Sequence, residues 1–384
     1  MAVYLDHNAT TPLHEAVYEG MQPWMRSMTG NPSSLHRFGR MQSDAIERAR
    51  EQVAALVDAR PEQVIFTSGG TESNNLLIKG LIAATDAKRI AVSAIEHMSL
   101  IEPAAHLANG CVVDSIPVNG AAGYISTDAL EQSLKPDTAL VSVMAANNET
   151  GVIQDVTKLA ACGKQGGAWF HTDASQAAGK IAVSYRQWGV DAMTLSAHKF
   201  YGPLGVGALI IDGRLPLHAL QHGGSQEHGL RAGTENVPAI VGFGIAAQLA
   251  LQELAQRADH VMALRAQLEA QLAQMPGVTI FAQQSNRLPN TVQFGVAGFD
   301  GETLLMQLDR AGFAVSSGSA CTSGKTEPSH VLSAMGVADD IALAAVRVSF
   351  GRQNTGADVD AFAQALSGIV DSSSHSAVMM AATI

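Results

Sequence analysis

Three polar segments each follow an apolar run and carry side chains that together could bind one cofactor. The first, residues 67–71 in "VIFTSGGTE", precedes a predicted helix, whose unpaired N–H groups bind anions together with a threonine hydroxyl. The second contains Asp173 in "FHTDASQ", and the third contains Lys199 in "LSAHKFYG", 26 residues later. A lysine at the end of a strand, next to small residues, is in the position typical of a lysine that forms an imine with a cofactor. An anion site, a carboxylate for a ring nitrogen and such a lysine are what pyridoxal phosphate requires.

Each of these segments also has an ordinary structural interpretation. The first fits a helix cap with turn glycines, Asp173 fits a helix N-cap, and the pair at residues 198–199 fits a solvated loop. The order of the segments favours the cofactor. Together with Glu96-His97 and with residues 147–149, all of them follow strand ends of one predicted sheet.

The elements that must position these residues follow from the hydrophobic pattern. From about residue 16 to 250, Ala-, Leu- and Glu-rich helical stretches alternate with short apolar runs such as "QVIFTS", "ALVSVM" and "AMTLSA". This alternation predicts an α/β fold with a mostly parallel sheet covered by helices. Two long helices over residues 238–276 and a smaller α+β unit follow. We predict a large cofactor-binding domain over 15–250 and a small domain from 1–14 and 251–384.

Composition narrows the class of partner. The 384 residues are 47% apolar and carry a net charge of −11, which argues against nucleic acid and anionic membranes. We find no apolar run of membrane-spanning length. The first residues, "MAVYLDHNATTPL", lack the features of a signal peptide. Three scattered cysteines fit a reducing compartment, so we expect a cytoplasmic protein.

The three cysteines differ in their surroundings. Cys111 lies in an apolar run and Cys162 on a predicted helix, so we expect both to be inert. Cys321 lies in "SSGSACTSGKT", residues 316–326, and its distance from the other two fits no zinc site. The same segment is not a nucleotide P-loop, because five residues separate Gly318 from Gly324 where that motif has four. From local sequence alone, Cys321 is an incidental loop thiol or a nucleophile on a mobile arm.

The motifs resemble those of the cysteine desulfurases of the NifS/IscS family, pyridoxal-phosphate enzymes of fold type I. The likeness runs through nearly the whole chain in the family order: "YLDHNATTP", "NPSSLHRFG", "FTSGGTESNN", "ANNETGVIQ", "HTDASQAAGK", "SAHKFYGPLGVG", "RAGTEN" and "SSGSACTSG". The long form of the last segment is similar to the NifS/IscS group, as opposed to the shorter-loop group that includes selenocysteine lyases.

The resemblance implies a role for each matching residue. Lys199 would carry pyridoxal phosphate, and His97 would stack on its ring and transfer protons. The implied cofactor-binding residues are Gly70, Thr71, Asn148, Asp173, Gln176, Ser196, His198, Lys199 and Thr234. Of these, Thr234 would reach the phosphate of the neighbouring subunit, which implies a homodimer. Arg352 in "SFGRQN", together with Asn148, would bind the substrate.

The resemblance also gives Cys321 a function. Its thiolate would take the sulfur of L-cysteine as a persulfide, leaving L-alanine, and a mobile loop at about 316–329 would carry that sulfur to an acceptor. The implied acceptor is an iron–sulfur scaffold protein of the IscU/NifU kind. No metal site of the protein's own is expected, although Cys321 could transiently ligate an iron–sulfur cluster. Details of the "NNETG" and "CTSG" segments resemble the NifS type of cysteine desulfurase, which serves the assembly of nitrogenase clusters.

Some residues depart from the family pattern, and other functions compete. His228 stands where the family has an arginine, and "GRQNTGADVD" departs from the usual run after the arginine. The competing enzymes are a selenocysteine lyase or another class-V aminotransferase-like enzyme, which would not need the thiol of Cys321. A non-catalytic docking partner in iron–sulfur assembly is the alternative of another class, and Lys199 and Asp173 argue against it.

Overall fold

The computed structural model describes residues 2–85, 87–107, 110–317 and 327–381, with side chains through residue 372. The strands are β1 (Val3–Tyr4), β2 (Val64–Thr67), β3 (Arg89–Ser93), β4 (Val112–Ile116), β5 (Leu140–Ser142), β6 (Trp169–Asp173), β7 (Ala192–Ser196), β8 (Gly207–Ile211), β9 (Val278–Ile280), β10 (Thr291–Val296), β11 (Phe313–Ala314) and β12 (Ala345–Ser349). The helices are α1 (Glu15–Arg26), α2 (Arg37–Leu56), α3 (Gly70–Thr85), α4 (Met98–His106), α5 (Thr127–Ser133), α6 (Val156–Gln165), α7 (Tyr185–Trp188), α8 (Val237–Gln252), α9 (Leu254–Leu272), α10 (Gly301–Arg310), α11 (His330–Ala334), α12 (Asp339–Leu343) and α13 (Gly356–Ala381).

A mostly parallel sheet forms the centre of the larger part of the molecule. Within the described residues its strand order is β2-β8-β7-β6-β5-β3-β4, and β8 runs antiparallel to both of its neighbours. The other pairs are parallel, which confirms the predicted fold class. Because the parallel strands point the same way, their carboxyl ends meet at one edge.

Helices bury both faces of this sheet. Adjacent strand residues face opposite clusters: Phe66 and Ile210 join the cluster with α2 and α8, whereas Ile65 and Leu209 join the one with α3 and α4. This alternation explains why these strands are apolar at nearly every position. The site at the sheet edge is therefore held by elements packed on two sides.

The smaller unit has its own core. Its antiparallel sheet has the order β12-β10-β9, and α9 buries the stripe Val261, Leu264, Leu268 and Leu272 against it, as the helical spacing predicts. The amino-terminal strand β1 pairs in parallel with β11 and contributes Leu5 to the same cluster. The division at residues 14 and 250 remains a prediction.

The described helices are short or polar relative to what a membrane span requires. Among the described residues, none of the helices taken singly is long and apolar enough to cross a membrane. In the described part of the chain, one bent pair, α8 with α9, meets the requirement by length and composition, with an angle of 73° between the two helices.

Candidate active site

One cavity of about 310 Å³ lies at the carboxyl edge of the parallel strands. It is lined by Asn8, Ala9, Gly70, Thr71, His97, Ser99, Met144, Ala146, Asn148, Asp173, Ser175, Gln176, Ser196, His198, Lys199 and Arg347. Nine of the residues that the sequence analysis selected are among them. The structure therefore brings together segments that lie up to 339 positions apart in the chain, from Asn8 to Arg347.

Lys199 is held at the floor of this cavity by the amino-terminal segment. Strand β7 ends at Ser196, and a single 3₁₀ turn, Ala197–Lys199, directs the lysine back toward the sheet edge. Its Nζ donates to the backbone carbonyls of Asn8 at 2.9 Å and Ala9 at 2.8 Å. The amine is thus fixed in position by neutral acceptors, as a covalent attachment point requires.

Asp173 is the last residue of β6 and is almost fully buried. Its Oδ2 accepts a hydrogen bond from Asn74 Nδ2 at 2.9 Å, and its Oδ1 accepts one from the backbone N–H of Ser175 at 2.9 Å. Both hydrogen bonds come from neutral donors. The carboxylate is therefore oriented and remains able to hold a protonated ring nitrogen.

His97 is connected to Asp173 through side chains. Asn74 Nδ2 also donates to Ser99 Oγ at 2.9 Å, and Ser99 Oγ lies 2.9 Å from His97 Nδ1. The same Nδ1 accepts the backbone N–H of Ser99 at 3.1 Å, so the proton of the neutral ring lies on Nε2. Burial lowers the pKa of His97, and the Lys199 amine contributes to the decrease while Asp173 opposes it.

The other end of the cavity has the chemistry of a phosphate site. Helix α3 begins at Gly70, and its first N–H groups have no intrahelical acceptor. Ser175 Oγ is buried with no hydrogen-bond partner among the described residues, and a Cβ placed on Gly70 would lie 3.3 Å from it. Ser196 and His198 complete this end, where burial and two lysines lower the pKa of His198 to about 4. A buried hydroxyl without a hydrogen-bond partner, next to the N-terminus of a helix, fits the binding of a phosphate group.

A hub formed by Asn8 holds several of these residues. Its backbone carbonyl accepts from Gln176 Nε2 at 2.9 Å, and its Oδ1 accepts from Lys180 Nζ at 2.8 Å. Lys180 Nζ also donates to Gln176 Oε1 at 2.6 Å, which fixes the orientation of that amide. Asn8 and Lys180 were not predicted as site residues, although they lie in the quoted segments "YLDHNATTP" and "HTDASQAAGK".

The arginine in the cavity is Arg347, not the predicted Arg352. Arg347 lies on β12, is 1% exposed, and donates to the backbone carbonyl of Asn148 at 3.0 Å and to Asp6 Oδ1 at 2.6 Å. Its Nε is buried with no hydrogen-bond partner among the described residues. Arg352 is exposed and lies outside this cavity, against the ring of Tyr201. A charged residue inside the apolar strand "AVRVS" was the signal in the sequence for Arg347.

Two further predicted residues are not part of this cavity. Thr234 is exposed in the segment before α8 and does not line the cavity, so its role across a subunit interface remains a prediction. Cys321, with the rest of 318–326, lies outside the described residues. The described residues flanking it contact the site, since Ser316 pairs with the backbone of Arg347 and His330 Nε2 lies 2.9 Å from the Glu96 carbonyl.

The other two cysteines are buried, as their surroundings in the sequence predict. Cys111 is 2% exposed immediately before β4, and Cys162 is 8% exposed on α6. Burial raises the pKa of both thiols, which disfavours the reactive thiolate. Neither thiol lines the cavity that contains Lys199.

Comparison with known proteins identifies the family. Residues 3–362 match the model of the class-V aminotransferases. "Cysteine desulfurase IscS" of Dictyoglomus turgidum is 44% identical over 96% of this chain and 94% of its own length. A "Cysteine desulfurase" of Gluconacetobacter diazotrophicus is also 44% identical, over 96% of this chain and 93% of its own length.

Solved structures show the same relationship. A NifS-like protein superposes with a TM-score of 0.91 at 38% identity, covering 97% of this chain and 100% of its own. A NifS-like protein from Rickettsia africae superposes with a TM-score of 0.88 at 34% identity, over 97% of this chain and 100% of its own.

The chain therefore belongs to the class-V aminotransferase family, whose enzymes use pyridoxal phosphate. Within this family it falls in the NifS/IscS group of cysteine desulfurases, which confirms the group predicted from the motifs.

Proposed function

We propose that this protein removes sulfur from L-cysteine, releases L-alanine and keeps the sulfur as a persulfide on Cys321. The observation that carries the proposal is the single cavity in which Lys199, Asp173 and His97 meet a phosphate-binding helix start. The 41–44% identity to proteins named cysteine desulfurases supports the same conclusion.

The residues of the cavity fit pyridoxal phosphate. Lys199 would hold it covalently through Nζ, and Asp173 would keep a proton on its ring nitrogen. Gly70, Thr71, Ser196 and His198 would bind the phosphate, with Ser175 Oγ as a further donor, and Gln176 and Asn148 would bind the ring hydroxyl. When bound, this group supplies an electron sink for the substrate carbons.

Proton transfer falls to His97. Its Nδ1 is occupied by the hydrogen bonds of Ser99, so Nε2 is the atom that exchanges protons with the substrate. The lowered pKa keeps the ring largely neutral near pH 7, and in the tautomer described above Nε2 carries the proton and acts as a donor. For Nε2 to accept a proton from the substrate, the ring's own proton must lie on Nδ1, where Ser99 Oγ is 2.9 Å away.

Substrate orientation falls to Arg347 in place of Arg352. The guanidinium lies in the cavity, and the backbone of Asn148 and the carboxylate of Asp6 hold it rigidly. A planar, pre-oriented guanidinium suits a carboxylate, because it offers parallel N–H donors. We therefore assign the carboxylate of L-cysteine to Arg347.

Sulfur transfer balances without an outside oxidant or reductant. The thiolate of Cys321 attacks the sulfur of the bound cysteine, so an S–S bond forms as the Cβ–S bond of the substrate breaks. The electron pair of that bond stays with the substrate, whose Cβ then gains a proton. The net products are L-alanine and a persulfide on the enzyme.

The sulfur acceptor and the cellular setting are part of the proposal. We infer that the persulfide sulfur is passed to an iron–sulfur scaffold protein, because the sequence motifs resemble those of the NifS/IscS group. The low cysteine content supports a reducing, cytoplasmic environment.

The decisive experiment follows alanine and persulfide in Cys321→Ala. We expect the variant to bind pyridoxal phosphate and to change its visible spectrum with L-cysteine, because neither step uses the thiol. It should release less than about 1% of the wild-type alanine, since each lost catalytic group typically costs on the order of 100-fold or more. Mass spectrometry of the wild-type protein after a brief cysteine pulse should find the added sulfur on the peptide containing Cys321.

Cys111→Ala and Cys162→Ala are the matched controls. Both should retain turnover, with a loss of stability of about 1–2 kcal/mol from small cavities. Full alanine release from Cys321→Ala, or added sulfur on Cys111 or Cys162, would contradict the mechanism.

A further inference from the structure

The Nδ1 atom of His97 faces two groups of the same residue, Ser99. Because His97 is the N-cap of α4, the backbone N–H of Ser99 donates to Nδ1 over 3.1 Å. The hydroxyl oxygen of Ser99 lies 2.9 Å from the same nitrogen. The backbone N–H requires an unprotonated Nδ1, whereas the hydroxyl oxygen can also accept a hydrogen bond from a protonated one. The two groups of Ser99 therefore favour different tautomers of the ring.

The hydroxyl of Ser99 belongs to a chain of hydrogen bonds that begins at Asp173. Asn74 is fully buried, and its Nδ2 donates to Asp173 Oδ2 and to Ser99 Oγ, each over 2.9 Å. The reverse orientation of the amide would place its oxygen against the carboxylate, so the charge of Asp173 fixes Nδ2 toward Ser99. Asn74 Oδ1 is left buried with no hydrogen-bond partner among the described residues, which is a cost of this orientation.

The hydrogen bond from Asn74 determines what Ser99 Oγ can still do. A serine hydroxyl has one proton and two lone pairs, so one lone pair and the proton remain. Toward an unprotonated Nδ1 the hydroxyl proton adds little, because the backbone N–H already uses the single lone pair of that nitrogen. Toward a protonated Nδ1 the remaining lone pair is an acceptor at 2.9 Å. The hydroxyl therefore stabilises the Nδ1–H form of the ring more than the Nε2–H form.

Charged groups around the ring act differently from this hydroxyl. Burial lowers the pKa of His97, the charges of Lys199 and His330 lower it further, and Asp173 opposes them. The neighbouring residue Glu96 is buried, and Arg347 lines the same cavity. These groups change the free energy of the charged ring as a whole. A hydrogen bond to one ring nitrogen is what distinguishes the two neutral tautomers.

We propose that Ser99 is a positioning residue whose hydroxyl selects the proton-accepting tautomer of His97. The inference rests on the proposed function, because that reaction supplies the proton that Nε2 accepts. Nε2 is free to accept it only in the Nδ1–H form, and the imidazolium that results also carries Nδ1–H. Ser99 lines the cavity and is 8% exposed, so water competes little for its hydroxyl. Its backbone N–H holds the resting ring, and its hydroxyl stabilises the reactive one.

Nitrogen-15 NMR of the histidine-labelled, pyridoxal-phosphate-loaded protein measures the tautomer directly. The chain has 13 histidines, and comparison with His97→Gln identifies the signals of His97. We expect both tautomers in the wild-type protein. Ser99→Ala should lower the ratio of the Nδ1–H form to the Nε2–H form about tenfold, roughly the effect of one net hydrogen bond. Ser99→Thr keeps the hydroxyl and should restore the wild-type ratio.

Kinetics of alanine release provide a second readout. Ser99→Ala should lower kcat about tenfold and leave KM for L-cysteine within about twofold, because the hydroxyl acts on the proton-transfer step through His97. The acid limb of the kcat profile should move to lower pH, since the imidazolium loses the acceptor of its Nδ1–H and the pKa of His97 falls. A merely structural role of Ser99 would not shift this limb, and an unshifted limb would overturn the proposal.

Ser142→Ala is the matched control. Ser142 Oγ lies 2.8 Å from His171 Nδ1, so the same sheet contains a second buried serine–histidine pair, and neither of its residues lines the cavity. Its removal should leave the signals of His97 and the acid limb as in the wild-type protein.

The NMR measurement requires no turnover, so the two proposals fail separately. An equal tautomer ratio in the wild-type protein and Ser99→Ala, or no detectable Nδ1–H form in the wild-type protein, would overturn the role of Ser99. Absence of alanine production by the wild-type protein would instead contradict the desulfurase proposal.

Discussion

At the scale of single residues, the two arginines near the carboxyl end of β12 illustrate how five positions separate different roles. Arg347 is inside the strand and faces the cavity with Lys199, whereas Arg352 follows the strand and faces Tyr201. Arg352 lies in the quoted segment "SFGRQN" and Arg347 just before it, and both are natural carboxylate ligands by residue type. Only their side-chain directions distinguish them.

The first residue-scale prediction concerns substrate binding. Arg347→Gln should lower kcat/KM for L-cysteine by about 30-fold or more, because truncating one partner of a buried charged pair costs roughly 2–5 kcal/mol. Arg352→Gln should cause a several-fold smaller loss. Steady-state kinetics with L-cysteine measure both.

Arg347→Gln could lower kcat/KM by destabilising the fold as well as by weakening the binding of L-cysteine, because Arg347 also pairs with Asp6. Urea unfolding of Arg347→Gln and retention of pyridoxal phosphate make that distinction. A larger loss of kcat/KM from Arg352→Gln than from Arg347→Gln would show that Arg352, and not Arg347, binds the carboxylate of L-cysteine.

At the scale of elements, one buried ion pair attaches the segment before α8 to the edge of the large sheet. Glu227 accepts from Arg50 Nη1 at 2.9 Å, from Arg50 Nη2 at 2.8 Å and from the backbone N–H of Phe66 at 2.7 Å. The side chains of Arg50 and Glu227 are 7% and 2% exposed. This attachment fixes the segment that also carries Thr234.

Breaking that pair should be costly. Glu227→Gln removes the buried charge partner of the Arg50 guanidinium and leaves it only the exposed Glu47, so we expect a loss of about 3 kcal/mol in the free energy of unfolding. Urea unfolding followed by circular dichroism measures the change. Glu47→Gln is the control, because Glu47 contacts the same arginine at 3.2 Å but is 59% exposed, so its loss should stay below about 0.5 kcal/mol. Equal losses in the two variants would contradict the importance of the buried pair.

At the scale of the whole molecule, the exposed position of Thr234 is consistent with a site completed by a second copy of the chain. Thr234 does not line the cavity of its own chain, although its motif resembles a phosphate-binding one. A residue that binds the phosphate from the partner subunit would have this placement.

Mixing two inactive variants tests the shared site. If Thr234 acts across the interface, a heterodimer of Thr234→Ala and Lys199→Ala chains has both defects in one site and an intact second site. Alanine production should therefore recover on mixing, up to about half of the wild-type rate per heterodimer. Light scattering establishes the dimer, and absence of recovery despite demonstrated subunit exchange would count against the role in trans.

The sequence by itself determined the sheet, the order of the motifs and most of the cavity. Asp173 ends a strand, and Gly70, His97, Asn148 and Lys199 each follow one, so their positions depend mainly on local chain direction. Because parallel strands end at one edge, residues that follow them meet without any knowledge of side-chain packing. The polar residues after the strands could therefore be assigned to one site.

The tertiary structure alone decided which other residues complete that site. The Asn8 side chain donates hydrogen bonds to the Asn148 carbonyl and to Thr291 Oγ1, and its Oδ1 accepts one from Lys180 Nζ. These hydrogen bonds join positions up to about 280 apart in the chain. Arg347 reaches the cavity because β12 packs beside the amino-terminal segment, where Asp6 holds its guanidinium. Contacts of this kind depend on how two separately patterned units pack together, and no local periodicity encodes that packing.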